Sequence, residues 1–234
     1  MNANTMKSEF DLKLDIITSN STPGLEDSEV SSLLTDGQAN IVRDILNPDE
    51  DKLIDFTELA RKQLSTLYIN GELSKASSQA GIFTNGIFWD IPTNHYVTLN
   101  LQGTVSSAVD CLDGIVVNVK PITYDEYNTN INNPFRNPGR GVIWSLQAGL
   151  ASTAQRLQTI NSSEFTDITK LRIAYIKKPL SIVVDVSTPA NQVNSDLPDI
   201  LHSRIVDEAV ELAKLQLGLL NEFQAQTAYN EVNK

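Results

Sequence analysis

Cysteine is almost missing from this chain: Cys111 stands alone among 234 residues. A single thiol excludes an internal disulfide and a multi-cysteine zinc site, and it suits a chain folded in a reducing cytoplasm. Histidine is nearly as scarce, with His95 and His202 the only two. Long hydrophobic runs are missing too, since no apolar stretch approaches the roughly 20 residues that a membrane span needs. Met1 to Leu14 carries Lys7, Glu9, Asp11 and Lys13 among few apolar residues, so it lacks an h-region and does not read as a signal peptide. Positive charge is short, with 18 Lys and Arg against 29 Asp and Glu and a net charge of −11. That balance excludes broad sequence-independent binding to nucleic acid, which rests on cations neutralising phosphates. In a protein lining a DNA conduit, acidic walls would repel the phosphate backbone, a use compatible with the charge but not implied by it.

Chemical motifs are missing as well. No G-x-x-x-x-G-K-[ST] phosphate loop, G-x-G-x-x-G turn, G-x-S-x-G elbow or H-E-x-x-H helix is present. His95 falls in a predicted strand and His202 near a predicted helix start, where each reads as a surface or capping residue. Nothing local supports a Cys111–His pair. The sequence therefore assigns no catalytic residue, no metal ligand and no cofactor.

What is present is organised as helices, then strands, then a helix. The polar stretch to about Gly24 reads as a flexible docking arm, ending in the Ser19–Gly24 turn cluster. Val30, Leu33, Leu34, Ile41, Val42, Ile45 and Leu46 recur at helical spacing up to Asn47-Pro48. Gly37 leaves open one helix with a weak point or two short ones. A second amphipathic helix is expected over Asp51–Tyr68, closed by Asn70-Gly71. Short β-branched and aromatic segments follow at Ile82–Trp89, His95–Leu101, Gly114–Lys120, Val142–Leu146, Phe165–Ile176 and Leu180–Val186, with one short helix over Thr123–Asn130. Pro198-Asp199 opens a last helix whose apolar face runs from Ile205 to Leu217, the Asp favoured near the positive end of the helix dipole. The expected class is α+β: terminal helices packed together, with an inserted antiparallel β-sheet or sandwich lobe. The expected division is an arm over 1–24, a discontinuous helical domain over 25–72 and 197–234, and a β-rich lobe over 73–196.

Three stretches invite a functional reading. Asn47 to Glu58 offers oxygen ligands at EF-hand spacing: Asn47, Asp49, Asp51, the Leu53 carbonyl, Asp55 and Glu58, with Ile54 at the hydrophobic position. Asn47 replaces the usual first Asp, and Lys52 replaces the turn glycine, so the favoured reading is a helix–helix turn whose acids suit the following helix N-terminus. Asn132 to Gly141, with Arg136 and Arg140, is the one locally basic loop. It is either a solvated connection or a shaped contact loop, and two arginines are too few for a nucleic-acid site. Around it lie Tyr124, Tyr127, Phe135 and Trp144, residue types that anchor interfaces but also fill cores.

The same region carries a family likeness. Lys120-Pro-Ile-Thr-Tyr-Asp-Glu-Tyr-Asn128, then Asn132-Asn-Pro-Phe-Arg136 and Val142-Ile-Trp144, resembles a signature of crAss-like phage structural proteins. Leu171-Arg-Ile-Ala-Tyr-Ile-Lys-Lys-Pro179 resembles that family's strand–turn–strand, and Asp196-Leu-Pro198 through His202, Ile205-Val206 and Ala209-Val210 its closing helix. The chain thus resembles the head–tail connector (ring or adaptor) proteins of crAss-like tailed bacteriophages. The resemblance implies a virion subunit assembled in the host cytoplasm and stacked as a ring, a dodecamer, beneath the portal. Its partners would be itself, the portal and other neck or tail rings, with genomic DNA passing through the lumen without specific binding. Its expected contact surfaces are the 120–144 region and the C-terminal helix. Two rival readings remain: a soluble, calcium-dependent binding module built on Asn47–Glu58, and a small enzyme using scattered carboxylates such as Asp90, Asp110 and Asp113.

Overall fold

The computed structural model describes residues 1–18, 25–47, 62–76, 86–130, 133, 142–151, 154–161 and 164–217. The chain divides into two compact units, Met1–Leu67 with Pro179–Lys234, and Tyr68–Lys178. The class is α+β, with four α-helices and seven strands among the described residues.

In the first unit the helices are α1 (Ala3–Thr18), α2 (Asp27–Leu46) and α4 (His202–Gln216), and α4 packs on both α1 and α2. The expected flexible arm is corrected here, because most of residues 1–24 form α1. Among its described side chains Ala3, Met6, Phe10 and Leu14 are buried, at steps of three and four. A stripe at that spacing leaves the average composition polar while still presenting one apolar face. Lys13 fixes the polar side through Glu9 and Asp207, both at 2.7 Å.

Helix α2 is continuous through Gly37, which settles the one-or-two question. Glu29 Oε2 accepts the Glu26 N–H at 2.9 Å and closes the first turn. Gly37 is where α4 crosses. A Cβ there would stand 2.9 Å from the Ile205 carbonyl oxygen and 3.2 Å from the Ala209 nitrogen. The small pair Gly37 and Ala209 lets the two backbones approach, and helical propensity is given up for packing.

Leu180–Val186 reads as a strand in sequence, but it joins no sheet. It is an extended segment laid along α2 and held by side chains one turn apart. Gln38 Nε2 donates to the Leu180 carbonyl (2.8 Å), and Thr35 Oγ1 accepts from the Ile182 N–H (3.0 Å). Ser31 Oγ accepts from the Val184 N–H (2.9 Å), and Asp27 Oδ2 from the Val186 N–H (3.2 Å). Four helical residues rise about 6 Å and two extended residues about 6.6 Å, so the two repeats stay in step. Ile182 and Val184, whose N–H groups make two of these bonds, are buried.

The second unit is a closed barrel with strand order β1-β2-β6-β5-β4-β3-β7. The strands are β1 (Tyr68–Lys75), β2 (Gly86–Asp90), β3 (His95–Ser106), β4 (Val116–Pro121), β5 (Ile143–Ala151), β6 (Ala154–Asn161) and β7 (Asp167–Lys177). Helix α3 (Tyr124–Asn130) links β4 to β5. The expected antiparallel sheet or sandwich closes into a barrel, and its pairing is antiparallel apart from β4 with β5, which are parallel. Parallel neighbours need a crossover, and α3 supplies it. Leu73, Trp89, Leu101, Val105, Val119, Ile143, Ile168, Leu171, Ile173 and Tyr175 fill the interior. Trp89 also keeps its polar end satisfied, donating Nε1–H to Thr159 Oγ1 at 2.9 Å.

Two strands were hidden from sequence reasoning. The expected helix over Asp51–Tyr68 falls mostly outside the described residues, but Asn70-Gly71 does not end a helix. Both lie inside β1, paired with Ala174 and Ile173 of β7. Strand β6 went unread because Gln155, Arg156 and Gln158 break its apolar pattern. Arg156 is balanced by Asp90, its register partner on β2, at 2.9 Å.

Gly37→Val should lower stability by about 2–3 kcal/mol through the forced separation of α2 and α4. Gly71→Ala, where an added Cβ meets nothing within 4 Å, should stay within about 1 kcal/mol. Urea unfolding followed by far-ultraviolet circular dichroism separates the two. A second expectation concerns acid. The Lys7 ammonium and the Val186 N–H hold the Asp27 carboxyl below its ordinary 3.8. The N–H of Thr188 and the hydroxyl of Ser187 do the same for Asp185. Depressed folded values mean that this stabilisation is complete above the ordinary carboxylate value and is lost as pH falls through the depressed ones. Amides of 182–188 should therefore lose exchange protection between pH 5 and pH 2, after correction for intrinsic rates, and Asp27→Asn should remove part of that loss at Val186. Protection unchanged across that range would contradict the assignment.

Candidate functional site

The short helix α3 begins at a reciprocal cap. Thr123 Oγ1 accepts the Glu126 N–H at 3.2 Å, and Glu126 Oε2 accepts the Thr123 N–H at 3.0 Å. This places Tyr127 over β5, edge-to-face with Trp144 at 6.4 Å and 81° between planes. Trp144 is buried with Leu146 and Ile160, and Ile122, Tyr127 and Val142 close around them. Neighbouring Ile143 points the other way, into the barrel, as strand alternation requires. Trp144 is therefore a packing residue, while Tyr124 stays exposed. Burial pushes the half-buried Tyr127 phenol up from its ordinary value. Phe135, Arg136 and Arg140 lie outside the described residues.

Among the described residues no group of three His, Cys, Asp or Glu is placed to hold a metal. His95 lies against the Tyr175 ring at 5.4 Å, with Nε2 2.8 Å from Thr98 Oγ1, and burial lowers its pKa. His202 is buried at the start of α4, with Nε2 2.9 Å from the Leu197 carbonyl and Nδ1 3.2 Å from Asp199. The expectation of surface or capping histidines meets a buried His202 in a helix without a side-chain cap bond. Cys111 is exposed in the 3-10 turn Asp110–Leu112. Asp90 pairs with Arg156, and Asp113 accepts the Ser107 N–H at 3.1 Å. Of the EF-hand spacing only Asn47 is described: it caps α2, its N–H donating to the Arg43 carbonyl, and the ligand positions from Asp49 to Glu58 fall outside.

Among the described residues a hollow is built by a split strand. The first half of β4 pairs with β3 through Gln102–Thr104, and its second half pairs with β5 through Val119–Pro121. Where β4 peels away, the start of β3 keeps its pairing to β7 alone. The gap is a hollow of about 630 Å³ walled by His95–Leu101, Val119, Pro121, Ile122, Ser145 and Leu157 among others. No charged side chain lines it, and the buried Ser145 Oγ in its wall has no partner among the described residues.

Comparison with known proteins settles the family. The model of the phage tail ring protein 3/4 family matches residues 1–223. The chain belongs to that family. It is similar to "Ring protein 4/5" of Bacteroides phage crAss001, 27% identical over 235 residues that cover 92% of each chain. It is similar also to "Ring protein 3" of the same phage, 27% identical over 209 residues that cover 84% of this chain and 87% of that one. It is a structural ring protein of crAss-like phages, a virion component, and no helix among its described residues is long and apolar enough to cross a membrane.

For a ring protein the functional residues are those that meet neighbours. Sequence reasoning favoured the 120–144 region and the last helix. It passed over the start of β3, although one signal was legible: Ile91–Val109 holds no Asp, Glu, Lys or Arg, in a chain where charged residues make up 20%.

Removing the Tyr127 ring should detach α3 from β5. Tyr127→Ala should cost about 2 kcal/mol and shift tryptophan emission to the red, whereas Tyr124→Ala should change neither beyond about 0.5 kcal/mol. Equal effects of the two would mean that α3 is not held by the Tyr127–Trp144 contact.

Proposed function

We propose that this ring protein is a non-enzymatic subunit of the phage neck, stacked as a ring beneath the portal, joining head to tail around the DNA conduit. The reading is carried by the match of the tail ring family model to residues 1–223. The ring is a dodecamer, assembled in the host cytoplasm, and its neighbours are the portal and other neck or tail rings. Charge fits the position. At −11 the chain presents an acidic surface, which repels the phosphate backbone and lets DNA pass without sticking.

Light scattering of the purified chain, alone and with a candidate portal ring, tests the proposal. A closed multimer, formed alone or templated by the portal, is the expected result. A monomer that ignores the portal but shifts in mobility with calcium would replace this reading with a binding module centred on Asn47–Glu58.

A further inference from the structure

The start of β3 breaks the rules by which free sheet edges are kept from pairing. Such edges are ordinarily guarded by charge, proline or brevity. His95–Leu101 contains neither a charged residue nor a proline, and belongs to a strand of 12 residues. Among the described residues no strand pairs with its second edge along this stretch. Bulges, which can protect an edge, are present but work the other way. His95 and Val97 oppose Lys177 and Ile176, and Thr98 and Asn100 oppose Tyr175 and Ala174, so Tyr96 and Leu99 are the extra residues. A bulge re-aims the side chain of its extra residue. Here the two re-aimed side chains are large and apolar, exposed at 42% and 51%, and both line the hollow beside the edge.

We propose that this edge and its hollow seat an extended segment from a second copy of this chain, adding a strand between β3 and the diverging end of β4. The occupant follows from two arguments and rests on the ring reading above. A closed ring of one chain needs a heterologous contact, in which one patch of each subunit receives a different patch of the next. Two copies each carrying −11 repel, so their contact belongs where acidic groups are missing. The uncharged run Ile91–Val109 places β3 in such a region. Strand addition supplies main-chain hydrogen bonds along the edge, with Tyr96 and Leu99 giving side-chain contact. It also brings polar groups within reach of Ser145 Oγ, buried in the wall.

The test pairs native mass spectrometry with amide hydrogen exchange on the full chain, across a concentration series, for the wild type and Leu99→Glu. The wild type should assemble as concentration rises, and amides of 96–101 should slow by about tenfold or more in the assembled form only. Leu99→Glu puts a charge on an exposed side chain, so it should keep the wild-type melting temperature while weakening assembly about tenfold or more. Assembly with unchanged exchange at 96–101, or undiminished assembly of Leu99→Glu at equal melting temperature, overturns the seat and leaves the ring reading standing. Protection already complete in the monomer means that the chain covers its own edge, which also overturns it. Protection gained on the portal ring when no contact between copies of this chain forms there overturns the second copy as occupant. A wild type that stays monomeric with and without the portal ring removes both this proposal and the ring reading.

Discussion

The first unit depends on a helix acting as the edge of a sheet. Asp27, Ser31, Thr35 and Gln38 form one polar stripe along α2, and each bonds a backbone group of alternate residues from Val186 back to Leu180. The outer face of this extended segment bridges to Val193 through Val183 alone, and its other face meets a helix instead of a strand. Buried amides left without partners would each cost on the order of 1–3 kcal/mol. The side-chain stripe meets that need and fixes the register. It thereby decides which residues of the segment enter the core, namely Ile182 and Val184. Gln38 reaches further, accepting the Ser195 hydroxyl as well as donating to Leu180. One fully buried amide therefore ties the extended segment to the chain leading into α4.

This arrangement also explains what the sequence could and could not reveal. The apolar spacing of α2 and α4 was strong enough to place both helices, because their buried positions recur through several turns. Leu180–Val186 alternates as a strand does, and locally it is extended, but alternation says nothing about what lies alongside. A helix presenting Ser, Thr, Asp and Gln at one-turn spacing looks in sequence like a solvated face. Helix α1 was lost for the opposite reason, since its buried Met6, Phe10 and Leu14 are separated by polar and charged residues that keep the average hydrophobicity low. In the barrel, β1 and β6 carry polar residues whose partners come from distant strands, such as Arg156 with Asp90. Pairing of that kind is invisible to any window of neighbouring residues. The motifs that carried the family resemblance lie in 120–144, 171–179 and 196–210, and the family model extends over residues 1–223.

The barrel shows how a functional surface can arise from geometry alone. A six-residue strand divides its pairing between two neighbours, and the seam that opens is a consequence of its length and direction. Parallel pairing of β4 with β5 requires the α3 crossover, and α3 in turn needs Tyr127 packed on Trp144 to stay in place. The sequence around Thr123–Glu126 and Trp144 thus acts first on local structure and packing. Its influence on the seam is indirect, through the position it imposes on β4 and β5.

Net charge and local neutrality then work against each other in a way that suits assembly. A charge of −11 spread over the chain keeps free subunits apart at separations comparable to the Debye length, about 8–10 Å at physiological salt. Contact is not prevented where the surface is neutral, because there hydrogen bonds and apolar area act at short range without a desolvated carboxylate to oppose them. Rising concentration favours association at such a patch, while the acidic remainder disfavours every other orientation. The β3 edge meets this description: it is uncharged over 91–109 and bounded by Asp90 and Asp110. Repulsion between acidic surfaces thus disfavours contacts that oppose carboxylates, and a contact at β3, whose register partners on β7 include Lys177, Arg172 and Lys170, avoids that opposition.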